Sequence, residues 1–313
     1  MRKFSVLVVA AATAVALTAC SSAGSESARE QDCDSPVASG HASSIITSTG
    51  AMGSSPTVTF PTPLITTTIE RSPLTVGTGS PVQLGQPVIL EATVLNGTDG
   101  SVLQQTGYST RGGSLFTVGD MTLPALSRGL TCVPEGSRVA IVASAAENAT
   151  AGQASGKDSI VYVVDVVRAF KSRADGADQN PIAGMPSVVL APDGAPGVTI
   201  PHTPAPTKFS SSVLKLGAGK KLTDKDIVVA KVTAINWTTR AVADSTWKSG
   251  GSTIYDLGGA SVAAGIKRAL VGQTTGSQIL AIVPAEAGAN SATGGPPAEA
   301  TLIYVIDILG TLK

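Results

Sequence analysis

Few side chains in this sequence are equipped for covalent or acid–base chemistry. The two histidines, His41 and His202, stand in loop-like sequence with no acidic or cysteine neighbour at ligand spacing, so no metal site is expected. No Ser/His/Asp arrangement, phosphate-cradling glycine loop or paired-carboxylate pattern is present. What remains is Asp244, followed by Ser245 and Thr246, and a small set of aromatic residues that includes Phe116, Tyr162, Tyr255 and Tyr304. Asp244 can cap a turn through its own hydroxyl-rich neighbours, or it can face a pocket. Tyr162 and Tyr304 sit in strand-like runs, as core or as pocket wall. Trp237 and Trp247 flank a hairpin and are expected to pack down on their own sheet. Aromatic rings supply rigid apolar area at low entropic cost, so this set suits a non-covalent grip better than bond-making.

The elements that must position these residues occur twice. Gly136–Val142 (GSRVAIV) and Ser159–Val167 (SIVYVVDVV) return as Gly276–Val283 (GSQILAIV) and Thr301–Leu309 (TLIYVIDIL). Leu126-Ser-Arg-Gly-Leu returns as Ile266-Lys-Arg-Ala-Leu, 140 residues on, as Gly276 is from Gly136. The lead-ins Pro56-Thr-Val-Thr-Phe and Pro186-Ser-Val-Val-Leu also look alike. A period this long is a domain duplication; solenoid units run to about 20–50 residues.

Within the first repeat, 87–95, 139–142 and 160–167 read as strands, with a turn at Asn96-Gly97-Thr98-Asp99-Gly100 and one short helix at 123–130. The second repeat offers strands at 213–216, 227–237, 252–257, 278–283 and 302–309. Its helix, 261–271, has Ser261 as N-cap, an apolar stripe through Val262, Ile266, Ala269 and Leu270, and Gly272 to end it. Several antiparallel strands with one short helix make an α+β domain.

The first 19 residues have a basic start (Arg2, Lys3) and an apolar core, as an export signal does. They end in Leu17-Thr18-Ala19-Cys20, which resembles a bacterial lipobox and implies cleavage before Cys20 and its acylation. Residues 20–55 are rich in Ser, Ala and Gly and read as a flexible tether, 56–170 as the first domain, 171–185 as a linker and 186–313 as the second domain. Lys plus Arg equals Asp plus Glu at 22 each, so nothing recruits nucleic acid or anionic lipid through bulk charge. After Cys20 only Cys33 and Cys132 remain. An extracytoplasmic location favours a disulfide between them, and the alternative is two free, buried thiols.

The stretch from Gly276 to Leu309, with its flap carrying Pro296 and Pro297, resembles the C-terminal part of FKBP-type peptidyl-prolyl cis-trans isomerases. The whole chain from about 56 resembles exported bacterial lipoproteins of actinobacterial type with tandem domains of this family. The resemblance implies two FKBP-like domains, each an antiparallel half-barrel sheet with a helix across its concave face, and no cofactor. It implies a pocket that grips proline and favours the twisted amide without a nucleophile. Partners would be proline-containing exported polypeptides. The protein would be a monomer attached to the outer face of the cell membrane by lipid alone. Asp244, Tyr255, Val262, Ile266 and Tyr304 match the family's pocket positions. The family's other aromatics are replaced: Val232 and Ala243 stand for a tyrosine and a phenylalanine, Ile266 for the helix tryptophan, and the flap tyrosine falls near Ala289. The first repeat keeps Phe116 and Tyr162, with Leu126 in place of the tryptophan and Ala92 and Gln104 at the tyrosine and aspartate positions. Three readings follow: a weak isomerase assisting folding of exported proteins, an inactive peptide-binding module, and a structural envelope protein whose clefts are filled by its own side chains.

Overall fold

Two long β-branched runs form the centre of each repeat, β4 (Pro87–Asn96) with β8 (Ile160–Ala169), and β13 (Ile227–Asn236) with β17 (Leu302–Leu312). The structure is a computed structural model that describes Cys33 and residues 37–108, 113–149, 158–285 and 300–312. The export signal, Cys20, Ala289, Pro296 and Pro297 lie outside the described residues.

The first repeat opens with α1 (His41–Ser44) and a hairpin of β1 (Thr47–Thr49) and β2 (Thr57–Thr59). Its sheet adds β3 (Ile69–Thr75), β5 (Val102–Gln105), β6 (Ser114–Thr117) and β7 (Arg138–Ala143), in the order β3-β7-β8-β4-β5 with β6 also on β4. The helices α2 (Pro124–Leu130) and α3 (Ala145–Asn148) complete it. The second repeat begins with β9 (Ala177–Asp178) and a hairpin of β10 (Ser187–Leu190) and β11 (Pro196–Thr199). It continues with β12 (Ser210–Leu216), β14 (Val242–Ser245), α4 (Thr246–Ser249), β15 (Thr253–Asp256), α5 (Ala264–Leu270) and β16 (Gln278–Val283). The order β14-β13-β17-β16-β12-β9, with β15 on β13, reproduces the first sheet and extends it by one short strand. All pairings are antiparallel, and the class is α+β as expected.

Each sheet is buried on both faces. Alternate residues of β13, β16 and β17, among them Val232, Ala234, Ala281, Tyr304 and Ile306, meet α5 through Ile266, Ala269 and Leu270. The intervening residues Ile235, Leu280, Ile282, Ile303 and Val305 meet the β10–β11 hairpin through Val188, Val198 and Ile200. The first sheet repeats this, with Leu126 and Leu130 on one face and Ala42, Ile46 and Leu64 on the other. Two-sided cover explains why β8 and β17 are almost continuously apolar where a half-exposed strand would alternate.

The hairpin layer corrects three expectations. Residues 37–55 are no tether: Ala42 and Ser43 are buried, and Ser43 Oγ lies 2.8 Å from Ser72 Oγ while its N–H donates to Glu70 Oε2 at 3.0 Å. A Ser-rich segment packs when its hydroxyls find partners. Residues 171–185 are no free linker, since β9 pairs with β12 and the Ala174 N–H donates to Asp307 Oδ2 at 2.8 Å. The structural equivalent of Pro56–Phe60 is 196–200, which keeps the 140-residue period, so the Pro186 lead-in match was out of register.

The helix α5 is shorter than the sequence implies. Its N-cap is Ala263, with no side-chain cap, and Ser261 lies outside it. Burial of Ala263, Ile266, Ala269 and Leu270 outweighs the missing cap, as tertiary packing usually does for so short a helix. Gly265 lets the helix lie close on β16, because a Cβ there would run into the Val283 side chain. Gly272 follows at φ +87°, in the left-handed turn expected of it.

A cross-strand row of buried polar residues lies under each hairpin. In the first sheet it is Arg138, Asp165 and Glu91; in the second, Gln278, Asp307 and Lys231. Arg138 pairs bidentately with Asp165, and its guanidinium also donates to the Gly50 and Ala51 carbonyls of the β1–β2 turn. In the second sheet Gln278 donates to Asp307 at 2.7 Å, and Lys231 Nζ lies 4.4 Å from the Trp247 ring centroid. Burial pushes the Asp307 carboxyl up and the Lys231 amine down. The two sheets meet through Ile89 and Phe170 on one side and Val229 and Leu309 on the other, within a single compact unit of residues 33–313. Cys33 and Cys132 form a disulfide, with Cα atoms 5.7 Å apart.

Candidate functional site

The face of the second sheet that meets α5 carries one row that runs Asp244, Ala234, Tyr304, Ala281 across β14, β13, β17 and β16. Strand pairing alone sets this row, because directly opposed residues point to the same face. Tyr304 is thus flanked by two alanines. The matching row of the first sheet is Gln104, Val94, Tyr162, Ile141, so Tyr162 stands between two branched side chains.

Tyr255 comes in from β15 and packs, half-buried, on the same apolar cluster as Val262, Ile266 and Tyr304. Asp244 is exposed at the sheet edge and close enough for its charge to act on both tyrosines. Burial, reinforced by the Asp244 carboxylate, pushes the Tyr304 hydroxyl up to about 12. Burial likewise raises Tyr255, with smaller contributions from Tyr304 and Asp244. Both hydroxyls therefore stay protonated at physiological pH, as hydrogen-bond donors beside a carboxylate. The arrangement offers an apolar floor (Ile266, Val262, Val232), two phenolic donors and one acceptor, and no nucleophile.

The structure brings together all five second-repeat residues singled out from sequence. In the first repeat Phe116, Leu126 and Tyr162 are buried in one core cluster, and the Tyr162 hydroxyl donates to Asn148 Oδ1 at 2.7 Å. Burial takes Tyr162 to about 12 as well. Gln104 is exposed and Ala92 buried. Trp237 packs down as expected, with its indole N–H on the Thr203 carbonyl at 3.0 Å. Trp247 lies on the far side of the sheet from the site, and its buried Nε1 has no partner among the described residues. Two features escaped sequence reasoning. The alanines at 234 and 281 become meaningful only through register, and Phe209 joins the site cluster from β12's approach, with the Arg268 guanidinium 4.4 Å from its ring centroid. No local signal links residues so far apart in the chain.

Residues 218–309 match the family model of FKBP-type peptidyl-prolyl cis-trans isomerases. The match lies within the second repeat and spans 92 of the chain's 313 residues. No curated protein matches the chain. Among solved structures it is similar to the three FKBP domains of wheat FKBP73, at 18% identity and TM-score 0.32, over 78% of this chain and 95% of that one. FkpA from Escherichia coli is 20% identical at TM-score 0.31, over 42% and 53% of the two chains. The N-terminal domain of FKBP42 from Arabidopsis thaliana is 18% identical at TM-score 0.31, over 37% of this chain and all of that one.

Proposed function

We propose that the second domain is a weak peptidyl-prolyl isomerase that assists folding of exported proteins, and that the first is a degenerate copy without activity. The carrying observation is the row that sets Tyr304 between Ala234 and Ala281 and beside Asp244, where the first domain sets Tyr162 between Val94 and Ile141. An apolar floor grips the proline ring, and a dehydrated setting favours the twisted amide, whose carbonyl is less polar than the planar form. A tyrosine hydroxyl can donate to that carbonyl. Weakness follows from Val232, Ala243 and Ile266 standing where the resemblance implies aromatics, each loss removing about 1–3 kcal/mol of apolar contact.

The test is a protease-coupled isomerisation assay on protein lacking residues 1–20. A rate above background is expected, falling about ten- to a hundredfold in Asp244→Ala, the loss of one charge-assisted contact. The replacement of those aromatics favours a second reading, an inactive binding module. That reading wins if both proteins give background rates while still binding a proline peptide.

The proposed setting is the extracytoplasmic face of the cell membrane, with Cys20 acylated. The Leu17-Thr18-Ala19-Cys20 sequence and the Cys33–Cys132 disulfide support it. On detergent phase partition of a bacterial expression host, the native sequence is expected in the detergent phase. Recovery of Cys20→Ala and native protein in the same phase would refute the anchor.

A further inference from the structure

The duplication supplies an internal control for surface charge. Residues 33–170 carry six Lys and Arg against nine Asp and Glu, whereas residues 171–313 carry 13 against 10. Much of the excess gathers at one place, the C-terminal end of α5. Lys267 and Arg268 lie in its last turn. The loop bearing Lys220 and Lys221 is hydrogen-bonded alongside, through Gly272 N to Leu222 O, Leu222 N to Gln273 O and Thr275 N to Lys220 O. Lys208 precedes Phe209, on which Arg268 is stacked. Lys208, Lys221 and Arg268 are exposed, and among these cations only Lys220 has a carboxylate partner among the described residues, Asp226.

At the corresponding places the first domain has Thr68, Ser80, Pro81, Ser127 and Arg128, and Arg128 is paired with Glu147. The first domain thus presents one neutralised cation where the second presents a cluster. Nothing in the fold demands this: the bridge between Lys221 and Thr274 is matched by one between Pro81 and Pro134, so the backbone is the same with or without the charge. The cluster sits at the end of the helix that carries Ile266, and Phe209 belongs to the same apolar cluster as Tyr304. A chain lying in the site would pass beside it.

We infer that this surface docks acidic polypeptide, so that the second domain selects proline-containing segments flanked by Asp or Glu. The inference rests on the peptide-binding reading of the site. A guanidinium held over an aromatic ring loses less freedom on meeting a carboxylate, and exposed charge pairs contribute modestly and in a salt-dependent way.

The experiment measures binding of two labelled proline peptides, one flanked by Glu and one by Gln, to protein lacking residues 1–20. The Glu peptide is expected to bind about tenfold more tightly at low salt, as two or three surface pairs would give. The gap should close at about 0.5 M salt. Lys208→Glu with Lys221→Glu should abolish the preference and leave the Gln peptide's affinity unchanged. Equal affinities would overturn the inference while leaving the site reading intact. If neither peptide binds, the site reading fails and the inference with it. Equal affinities together with binding to anionic vesicles that the double reversal abolishes would assign the surface to lipid instead.

Discussion

Asp165→Ala is expected to lower stability by about 3–5 kcal/mol, the cost of leaving a buried charge without its partner. Arg138 and Asp165 are almost fully enclosed, at 3% and 1% side-chain exposure. Arg138 Nε and Nη2 donate to the two carboxylate oxygens at 2.5 and 2.7 Å. Asp165 also accepts the Gly53 N–H at 2.7 Å, so the pair clamps the β1–β2 turn as well as two strands. Without the carboxylate, the guanidinium keeps only the Gly50, Ala51 and Ser54 carbonyls, which cannot neutralise it. The loss should read as a lower denaturant midpoint, with faster hydrogen exchange across residues 47–59. Arg138→Met with Asp165→Leu should recover most of it, because an apolar pair removes the desolvation cost of both ions. A loss below about 1 kcal/mol for Asp165→Ala would mean that water reaches the pair.

Phe170→Ala is expected to cost about 3–5 kcal/mol, as for a large aromatic removed from a core, and to separate the unfolding of the two domains. Phe170 is 5% exposed and packs with Ile89, Val229 and Leu309. Its ring lies where a Cβ on Gly310 would stand, so the strands of the second sheet approach it closely. Around it, Arg168 Nη1 donates to the Thr311 carbonyl at 2.8 Å, and Thr117 Oγ1 lies 3.2 Å from Ser252 Oγ. These polar contacts orient the interface, but the apolar cluster supplies its energy. Calorimetry should show one transition for the native protein and two for the variant. A single transition at unchanged temperature would show that the domains do not depend on each other through this contact.

Both expectations concern features that the sequence hides. Arg138 and Asp165 lie 27 residues apart in strands whose pattern shows only that each is an interruption of an apolar run. That they meet depends on β7 pairing with β8 in one register, and that they are dry depends on the hairpin folding over them. The hairpin is not legible in the sequence because its residues are polar and small. It gains its place through backbone and hydroxyl hydrogen bonds and a few apolar anchors such as Ile46 and Leu64, which leave no periodic signal.

The internal repeat, the α+β class, the long central strands and one short helix in each repeat were legible in the sequence, because repeated β-branched runs and glycine turns are local and periodic. Likeness to a family pattern also singled out Asp244, Tyr255, Val262, Ile266 and Tyr304, of which Tyr255, Val262, Ile266 and Tyr304 share one apolar cluster. Which side chains stand beside the site tyrosine depends on the fold. Ala234 and Ala281 flank Tyr304, and Val94 and Ile141 flank Tyr162, through cross-strand register, and register is fixed by long-range pairing and burial. The charge at the end of α5 was written in the sequence residue by residue. Only the fold, by bringing 208, 221 and 268 to one place, made it a surface.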